Sequence, residues 1–190
     1  MSMTIKEPLK KVPAAHHSGR RSMKTVRVVC LHSTEGEMAA GAASWFANPA
    51  SGGSAHIAVD AREGYRCLAD DFKPWANGWN QTLDMEHAAF ARWRRTMWLT
   101  PGARRMLRRS AFRVARWCHQ YDIPAQWVNA VELRRGKSGV TMHYTISKAF
   151  HTSDHSDPGK GFPKRRYIRM VRKFKRELNA PANGRVWTGR

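Results

Sequence analysis

Nine histidines and a few well-placed carboxylates are the side chains of this sequence that could carry out chemistry. His32 ends a short β-branched run, and His143 ends the segment "GVTMH". Asp157 lies further along, in "SDHSDPGKGFP", where the Pro-Gly that follows it restricts the backbone. Two neutral imidazoles and one carboxylate are a usual ligand set for catalytic zinc, with the fourth position left for water. This combination indicates a metal centre.

The segment around His143 offers rival ligands. His151 and His155 are four residues apart, a spacing that places two side chains on one helix face, so either could replace His143. However, Pro158 and the Ser, Asp and Gly residues around it favour a loop, and no glutamate follows His151. The pattern favours His143 and leaves the other two open.

Purely structural roles remain open for His32, for Asp157 and for a further acidic residue, Glu86. Cys30 and His32 are two apart on a strand, so they share a face that could be ordinary core. Asp157 before Pro-Gly could be a turn residue. Glu86, on another short strand, could pair with one of many arginines.

The elements that must position these residues follow from hydrophobic periodicity and turn signals. The patterns predict strands at 26–32, 55–60, 65–68 and 82–87, and helices at 37–47, 100–121 and 164–178. Thr100-Pro101 begins the long helix as cap and first residue. Strands and helices mix without a strict βαβ order, so we predict a single-domain α/β fold with a mixed central sheet flanked by helices.

The charge balance predicts an anionic partner. Lys and Arg number 34 against 14 Asp and Glu, a net charge of +20. Such an excess suits nucleic acid, an acidic membrane or an anionic cell envelope. Cationic side chains cover the predicted last helix outside its apolar stripe of Tyr167, Val171, Phe174 and Leu178. We find no apolar run long enough to span a bilayer and no apolar core of a secretory signal.

Five segments in order carry a resemblance to a known family: "LHSTEG", "SAHIAVD", "TLDMEHAAF", "GVTMH" and "SDHSDPGKGFP", over roughly residues 15–165. Together they resemble the zinc-dependent N-acetylmuramoyl-L-alanine amidases of the type 2 family, which includes peptidoglycan-recognition proteins. Phage endolysins are the most similar members. The resemblance implies His32, His143 and Asp157 as ligands of Zn²⁺, and Glu86 as a catalytic acidic residue beside the metal.

Two positions depart from the family pattern. Many members have lysine two residues before the last ligand, where this chain has His155. Phage lysozymes often have tyrosine where this chain has Ala55. The resemblance implies that His155 takes the catalytic role of that lysine, because an imidazole also donates a hydrogen bond or a proton.

The sequence patterns and the resemblance together imply a domain division and a biological role. The absence of periodicity predicts a basic N-terminal arm at 1–24, and the resemblance implies an amidase catalytic domain at 25–163. The apolar stripe and the surrounding cations predict a basic C-terminal helix and tail at 164–190 packed on the same domain. The expected activity is hydrolysis of the amide between N-acetylmuramic acid and L-alanine of peptidoglycan, in a monomeric phage endolysin that lyses its host. The chain would be made in the host cytoplasm without a signal peptide and act on the cell wall.

The expected partners are peptidoglycan and, through the basic helices, anionic envelope polymers or phospholipid, with no specific nucleic acid. Two alternatives belong to other classes. One is a non-catalytic peptidoglycan-binding module on the same fold, and the other is a basic nucleic-acid-binding protein.

Overall fold

The computed structural model describes residues 8–180, which form a six-stranded sheet and five α-helices. The strands are β1 Lys10–Lys11, β2 Val28–Ser33, β3 Ile57–Val59, β4 Gly64–Arg66, β5 Thr82–His87 and β6 Gly139–Met142. The helices are α1 Ala39–Ala47, α2 Pro101–Gln120, α3 Ala130–Arg134, α4 His143–Phe150 and α5 Lys164–Asn179. The fold is therefore the predicted single-domain α/β fold.

The sheet is mixed, with the strand order β1-β4-β3-β5-β2-β6. Only β3 and β4, which overlap the predicted strands at 55–60 and 65–68, pair antiparallel, and the other described strand pairs are parallel. Every residue of β2 and β5 is buried. Both faces of these central strands are thus covered, which is the usual state of parallel strands.

Helices cover both faces of the sheet. On one face, Leu31 and Met85 pack in a cluster with Leu107 of α2 and Tyr167 of α5. On the other face, residues of β2 pack against Leu133 and Ile146, which belong to α3 and α4, and α1 packs on β3 and β4. Successive side chains of a strand point to opposite faces. His32, two residues after Cys30, therefore points away from α2 and α5.

The long helices follow the predicted boundaries closely. The Thr100 hydroxyl accepts a hydrogen bond from the Ala103 amide at the start of α2, as the Thr-Pro pair predicts. The predicted stripe of α5 is buried at Tyr167, Val171 and Phe174. The prediction of a helix from residue 37 was wrong by two residues, since α1 begins at Ala39.

Residues 8–24 lie against the domain. β1 pairs with β4, and the Arg21 guanidinium donates to the carbonyl of Thr82 at 2.6 Å. The His16 ring stacks on Trp75 with 4.5 Å between ring centroids. The division at residues 24 and 163 stays a prediction, and residues 1–7 and 181–190 lie outside the described range.

None of the helices in the described range is both long and apolar enough to cross a membrane.

Candidate active site

The ends of two neighbouring parallel strands and one loop bring the predicted ligands together. β2 and β6 are neighbours, so His32 near the end of β2 lies close to His143, which follows β6 and begins α4. The carboxyl ends of parallel strands meet at one edge of a sheet, where sites commonly form. Asp157 comes from the loop between α4 and α5, and its Oδ2 accepts a hydrogen bond from the Ser33 amide at 3.3 Å.

Three donor atoms converge at this edge. The two Nδ1 atoms of His32 and His143 are 3.2 Å apart. Asp157 Oδ2 lies 3.4 Å from Nδ1 of His32, and Asp157 Oδ1 lies 3.1 Å from Nδ1 of His143. Tetrahedral ligands about 2.0–2.1 Å from a zinc ion are separated from one another by roughly 3.3–3.4 Å. The three side chains are buried, and Asp157 Oδ1 has no hydrogen-bond partner. The donor set therefore fits zinc.

The far side of each imidazole is held by a hydrogen bond. His32 Nε2–H donates to Asp84 Oδ1 at 2.9 Å, and His143 Nε2 shares a hydrogen bond with the Ser153 hydroxyl at 3.0 Å. The Asp84 carboxylate keeps a proton on Nε2 of His32, and both contacts turn the Nδ1 atoms toward the centre. Burial opposes ionisation of Asp84, but its hydrogen bond with His32 holds the pKa of this carboxyl below the ordinary value.

Glu86 lies on β5 directly opposite His32 of β2 and faces the cleft. Its side chain is buried, and its Oε2 atom has no hydrogen-bond partner. Burial raises the pKa of Glu86 to about 7. A carboxylate with a pKa near neutrality and a free oxygen is suited to accept and return a proton.

His155 lies at the mouth of the site. Its ring stacks on His143 with 4.5 Å between centroids, and its Nδ1 is 3.4 Å from Asp157 Oδ1. The side chain is 60% exposed, so substrate can reach it. His151 is exposed and caps the end of α4. Among residues 8–180, neither His151 nor His155 belongs to a convergent set of three possible metal ligands. The geometry thus favours His143 as the second imidazole.

A second set of possible ligands, Cys30, His32 and Asp84, lies inside the fold. Burial raises the pKa of Cys30 to about 12, so its thiol stays protonated. The Asp84 oxygens already accept hydrogen bonds from Asn77 and Thr82. This set acts as an internal support for His32 and does not form an open metal site.

The three candidate ligands lie in a cleft of about 740 Å³. Exposed apolar side chains form part of its wall, namely Met38, Trp45 and Trp75. Five acidic residues line it: Glu35, Glu37, Glu86, Asp154 and Asp157. No lysine or arginine of the described residues lines this cleft. The cleft can thus hold a substrate with an apolar or sugar surface beside the metal ligands.

Sequence reasoning missed three supporting residues. Asp84 and Ser153 orient the two imidazoles, as described above. His87 donates from Nδ1 to the His32 carbonyl at 2.9 Å and accepts from the Ser110 hydroxyl of α2 at 2.8 Å. Asp84 had a usable signal, because it lies two residues before Glu86 and so shares its face. The sequence contains no comparable signal for Ser153.

Comparisons with known proteins identify the family of the chain and relatives of its fold. A family model described as N-acetylmuramoyl-L-alanine amidase matches residues 22–160. No curated protein is similar enough in sequence to be matched with the chain.

Solved structures share the fold at low sequence identity. The hydrolase AmiA of Staphylococcus aureus, in complex with its ligand, is 16% identical, with a TM-score of 0.68 over 92% of this chain and 85% of AmiA. An AmpD derivative is 14% identical, with a TM-score of 0.62 over 86% of this chain and 94% of AmpD. The N-acetylmuramoyl-L-alanine amidase LysC of Clostridium intestinale is 12% identical, with a TM-score of 0.53 over 88% and 99%. Since the family model spans most of the chain, this protein belongs to the N-acetylmuramoyl-L-alanine amidase family.

Proposed function

We propose that the protein is a zinc-dependent amidase that cuts peptidoglycan between the lactyl group of N-acetylmuramic acid and L-alanine. One observation carries the proposal: three buried donor atoms converge beside Glu86, whose buried Oε2 atom has no partner. A non-catalytic binding module would need neither three convergent metal donors nor a carboxylate with a free oxygen beside them. We further propose that the protein acts as a phage endolysin, made in the host cytoplasm and active on the wall. Its membership of the family and the resemblance to endolysins support that role.

The residues divide the work of hydrolysis. Zinc at His32, His143 and Asp157 would supply Lewis-acid chemistry, polarising a substrate carbonyl and making water acidic near neutral pH. Glu86, in its ionised form, accepts the proton of the water that attacks the carbonyl carbon. As the C–N bond breaks, Glu86 returns that proton to the nitrogen of L-alanine. His155 donates a hydrogen bond to the oxyanion that develops on the carbonyl oxygen.

Removal of metal should abolish the activity reversibly. We expect one zinc per chain by elemental analysis, and no release of L-alanine amino termini from peptidoglycan after dialysis against EDTA. Adding zinc back should restore the release, because the ligands are held by protein contacts such as Asp84. Full activity of a preparation shown to be free of metal would contradict the zinc proposal.

His155 should contribute to turnover without holding the metal. His155→Ala should keep one zinc per chain and lose about ten- to hundredfold in kcat, the typical value of a hydrogen bond to a charged group. His155→Lys should lose less, because lysine also donates a hydrogen bond. Both variants are measured with a soluble muramoyl-peptide. If the alanine variant lost zinc, His155 would be a ligand. Wild-type turnover in both variants would limit this residue to packing against His143.

The cationic face of α5 should attach the enzyme to the envelope. We propose this face as the site for anionic polymers or phospholipid, with the protein acting as a monomer. The buried stripe of α5 holds the helix on the domain, and the charges on the opposite face are exposed. Changing four of them to glutamine should weaken sedimentation with cell walls and reduce its salt dependence, because exposed charges are screened over about 8 Å at physiological salt. The four are Arg166, Arg169, Lys173 and Arg176.

A matched variant controls for net charge. It replaces four exposed cations on other surfaces by glutamine, namely Lys11, Lys24, Arg62 and Arg135. We expect this control to sediment as the wild type does, and both variants to cleave a small soluble muramoyl-peptide normally. Equal losses of sedimentation in the two variants would show that overall charge, and not α5, governs attachment.

A further inference from the structure

A groove lined by cationic side chains adjoins the acidic cleft. It consists of two adjoining cavities of about 420 and 400 Å³, which share Tyr144 and Lys164. The larger of them shares Ala91 and Ser156 with the cleft that holds the candidate metal ligands, so the groove lies directly beside the cleft. We call this surface the cationic groove. Its charged residues are Arg92, Arg94, Arg134, Lys148, Lys160 and Lys164.

The charges of the two regions are fully separated. Five acidic residues and no described lysine or arginine line the cleft, whereas six cations and no described acidic residue line the cationic groove. Like charges held close together destabilise a fold unless a counter-charge is present. The groove is therefore suited to an anionic ligand, and the acidic cleft would repel the same ligand.

The backbone around Lys160 is built to hold these cations together. Gly159 and Gly161 lie directly against the chain at residues 91–95, and a Cβ atom on either glycine would overlap backbone atoms there. Only glycine permits so close an approach. This contact sets Lys160 beside the segment that carries Arg92 and Arg94. The "PGKGFP" sequence thus has a role separate from the ligand Asp157, which comes just before it.

Aromatic rings hold two of the cationic side chains in place. The Arg92 guanidinium lies over the Phe90 ring, 4.1 Å from its centroid, and the Lys164 ammonium lies over Trp127 at 5.7 Å. Such contacts restrict long side chains that would otherwise be free in solvent. Cations restrained in this way lose less entropy when an anion binds.

We infer that the cationic groove binds the carboxylates of the stem peptide, on the leaving-group side of the scissile amide. The inference rests on the proposed amidase function, because that reaction places the peptide next to the ligands. Beyond L-alanine a stem peptide carries free carboxylates, at least at its end, and these fit the cationic groove and not the acidic cleft. The substrate class is therefore a muramoyl-peptide with unmodified acidic groups.

The test uses two soluble muramoyl-peptides of the same sequence, one with free peptide carboxylates and one with these groups converted to primary amides. The zinc-loaded wild type should cleave the free acid with the higher kcat/KM. Arg94→Gln combined with Lys160→Gln should raise KM for the free acid about two- to thirtyfold, the effect of losing two exposed ion pairs. The kcat of this variant should stay within about twofold of the wild-type value, because the lost contacts bind the ground state and the transition state of the substrate equally. The amidated substrate should be unaffected.

Two control variants accompany the double variant. Arg104→Gln with Arg105→Gln removes the same charge from exposed positions of α2 outside the groove, and should leave both substrates unaffected. Arg94→Lys with Lys160→Arg keeps the charge and should keep most of the preference for the free acid.

Three results would overturn the inference: equal cleavage of the two substrates by the wild type, equal losses in the groove variant and the α2 control, or loss of duplex-DNA binding in the groove variant without any change in substrate preference. The last result would assign the groove to a nucleic acid. Failure of the wild type to cleave either substrate would instead overturn the amidase proposal itself.

Discussion

Replacing His143 by alanine should abolish both tight zinc binding and amide hydrolysis. The change removes one of three buried donors and leaves His32 and Asp157, whose nearest donor atoms are 3.4 Å apart. Even the loss of a group that only supports a ligand typically costs 10- to 100-fold in metal affinity, so the loss of a ligand should cost more than about 100-fold. Zinc content after gel filtration and the cleavage rate of a soluble muramoyl-peptide measure the two effects.

His151→Asn is the matched control for this variant. His151 has a φ of 55°, a left-handed conformation that asparagine tolerates and alanine does not favour. The asparagine variant should keep zinc and full activity, because the His151 side chain is exposed and lies outside the convergent donors. Stoichiometric zinc in His143→Ala, with loss of zinc in His151→Asn, would instead assign the ligand to His151.

Glu86→Gln should keep zinc and the folded state but lose most turnover. The amide is nearly isosteric with the carboxyl group but cannot accept the proton of the attacking water. A positioned general base typically contributes about 10² to 10⁴ in rate, so kcat should fall by that factor. Burial of Glu86, which raises its pKa to about 7, keeps both protonation states accessible near neutral pH. Steady-state kinetics on a soluble substrate, with zinc content and melting temperature measured in parallel, test this prediction.

Glu37→Gln provides the control in the same cleft. Glu37 lines the cleft and is exposed, and it is not among the convergent donors. It should therefore retain normal turnover. Near-normal activity of Glu86→Gln would remove this residue from the mechanism and leave His155 as the main candidate for proton transfer.

Local patterns of the sequence predicted the elements with strong signals. The α2 helix has an apolar stripe from Ala103 to Cys118 and a Thr-Pro start, and α5 has a stripe surrounded by cations, so both were predicted almost to the residue. The wholly buried strand β5 was predicted too, and its apolar residues Leu83 and Met85 alternate with the polar residues Thr82, Asp84 and Glu86. That strand is covered on both faces, so its polar side chains are buried as well as its apolar ones.

The elements and the register that were not predicted depend on contacts between residues distant in sequence. The β6 strand is only four residues long, and α3 only five, so neither has enough periodicity for a prediction. The α4 helix begins at His143 without a side-chain cap, which removes the usual start signal. The register that sets Glu86 opposite His32 is a pairing across more than fifty residues of chain, and short local patterns do not encode it.

The candidate active site likewise has a part that the sequence predicted and a part that depends on distant contacts. The set of His32, His143 and Asp157 came from residue types and from the resemblance to the family, and the structure brings these three together. Their support by Asp84 and Ser153, and the separation of the acidic cleft from the cationic groove, depend on the packing of loops far apart in sequence. Glycines 159 and 161 show how such packing is achieved, since a side chain at either position would prevent it.

The most direct test of the account is the identity of the bond that is cut. Purified peptidoglycan digested with the zinc-loaded protein should yield peptides with new L-alanine amino termini and glycan strands with free lactyl carboxylates. Mass spectrometry should detect no new reducing sugar ends, and EDTA should suppress the products. New reducing ends, or cleavage within the peptide while the bond to L-alanine stays intact, would contradict the assignment of this site as an amidase.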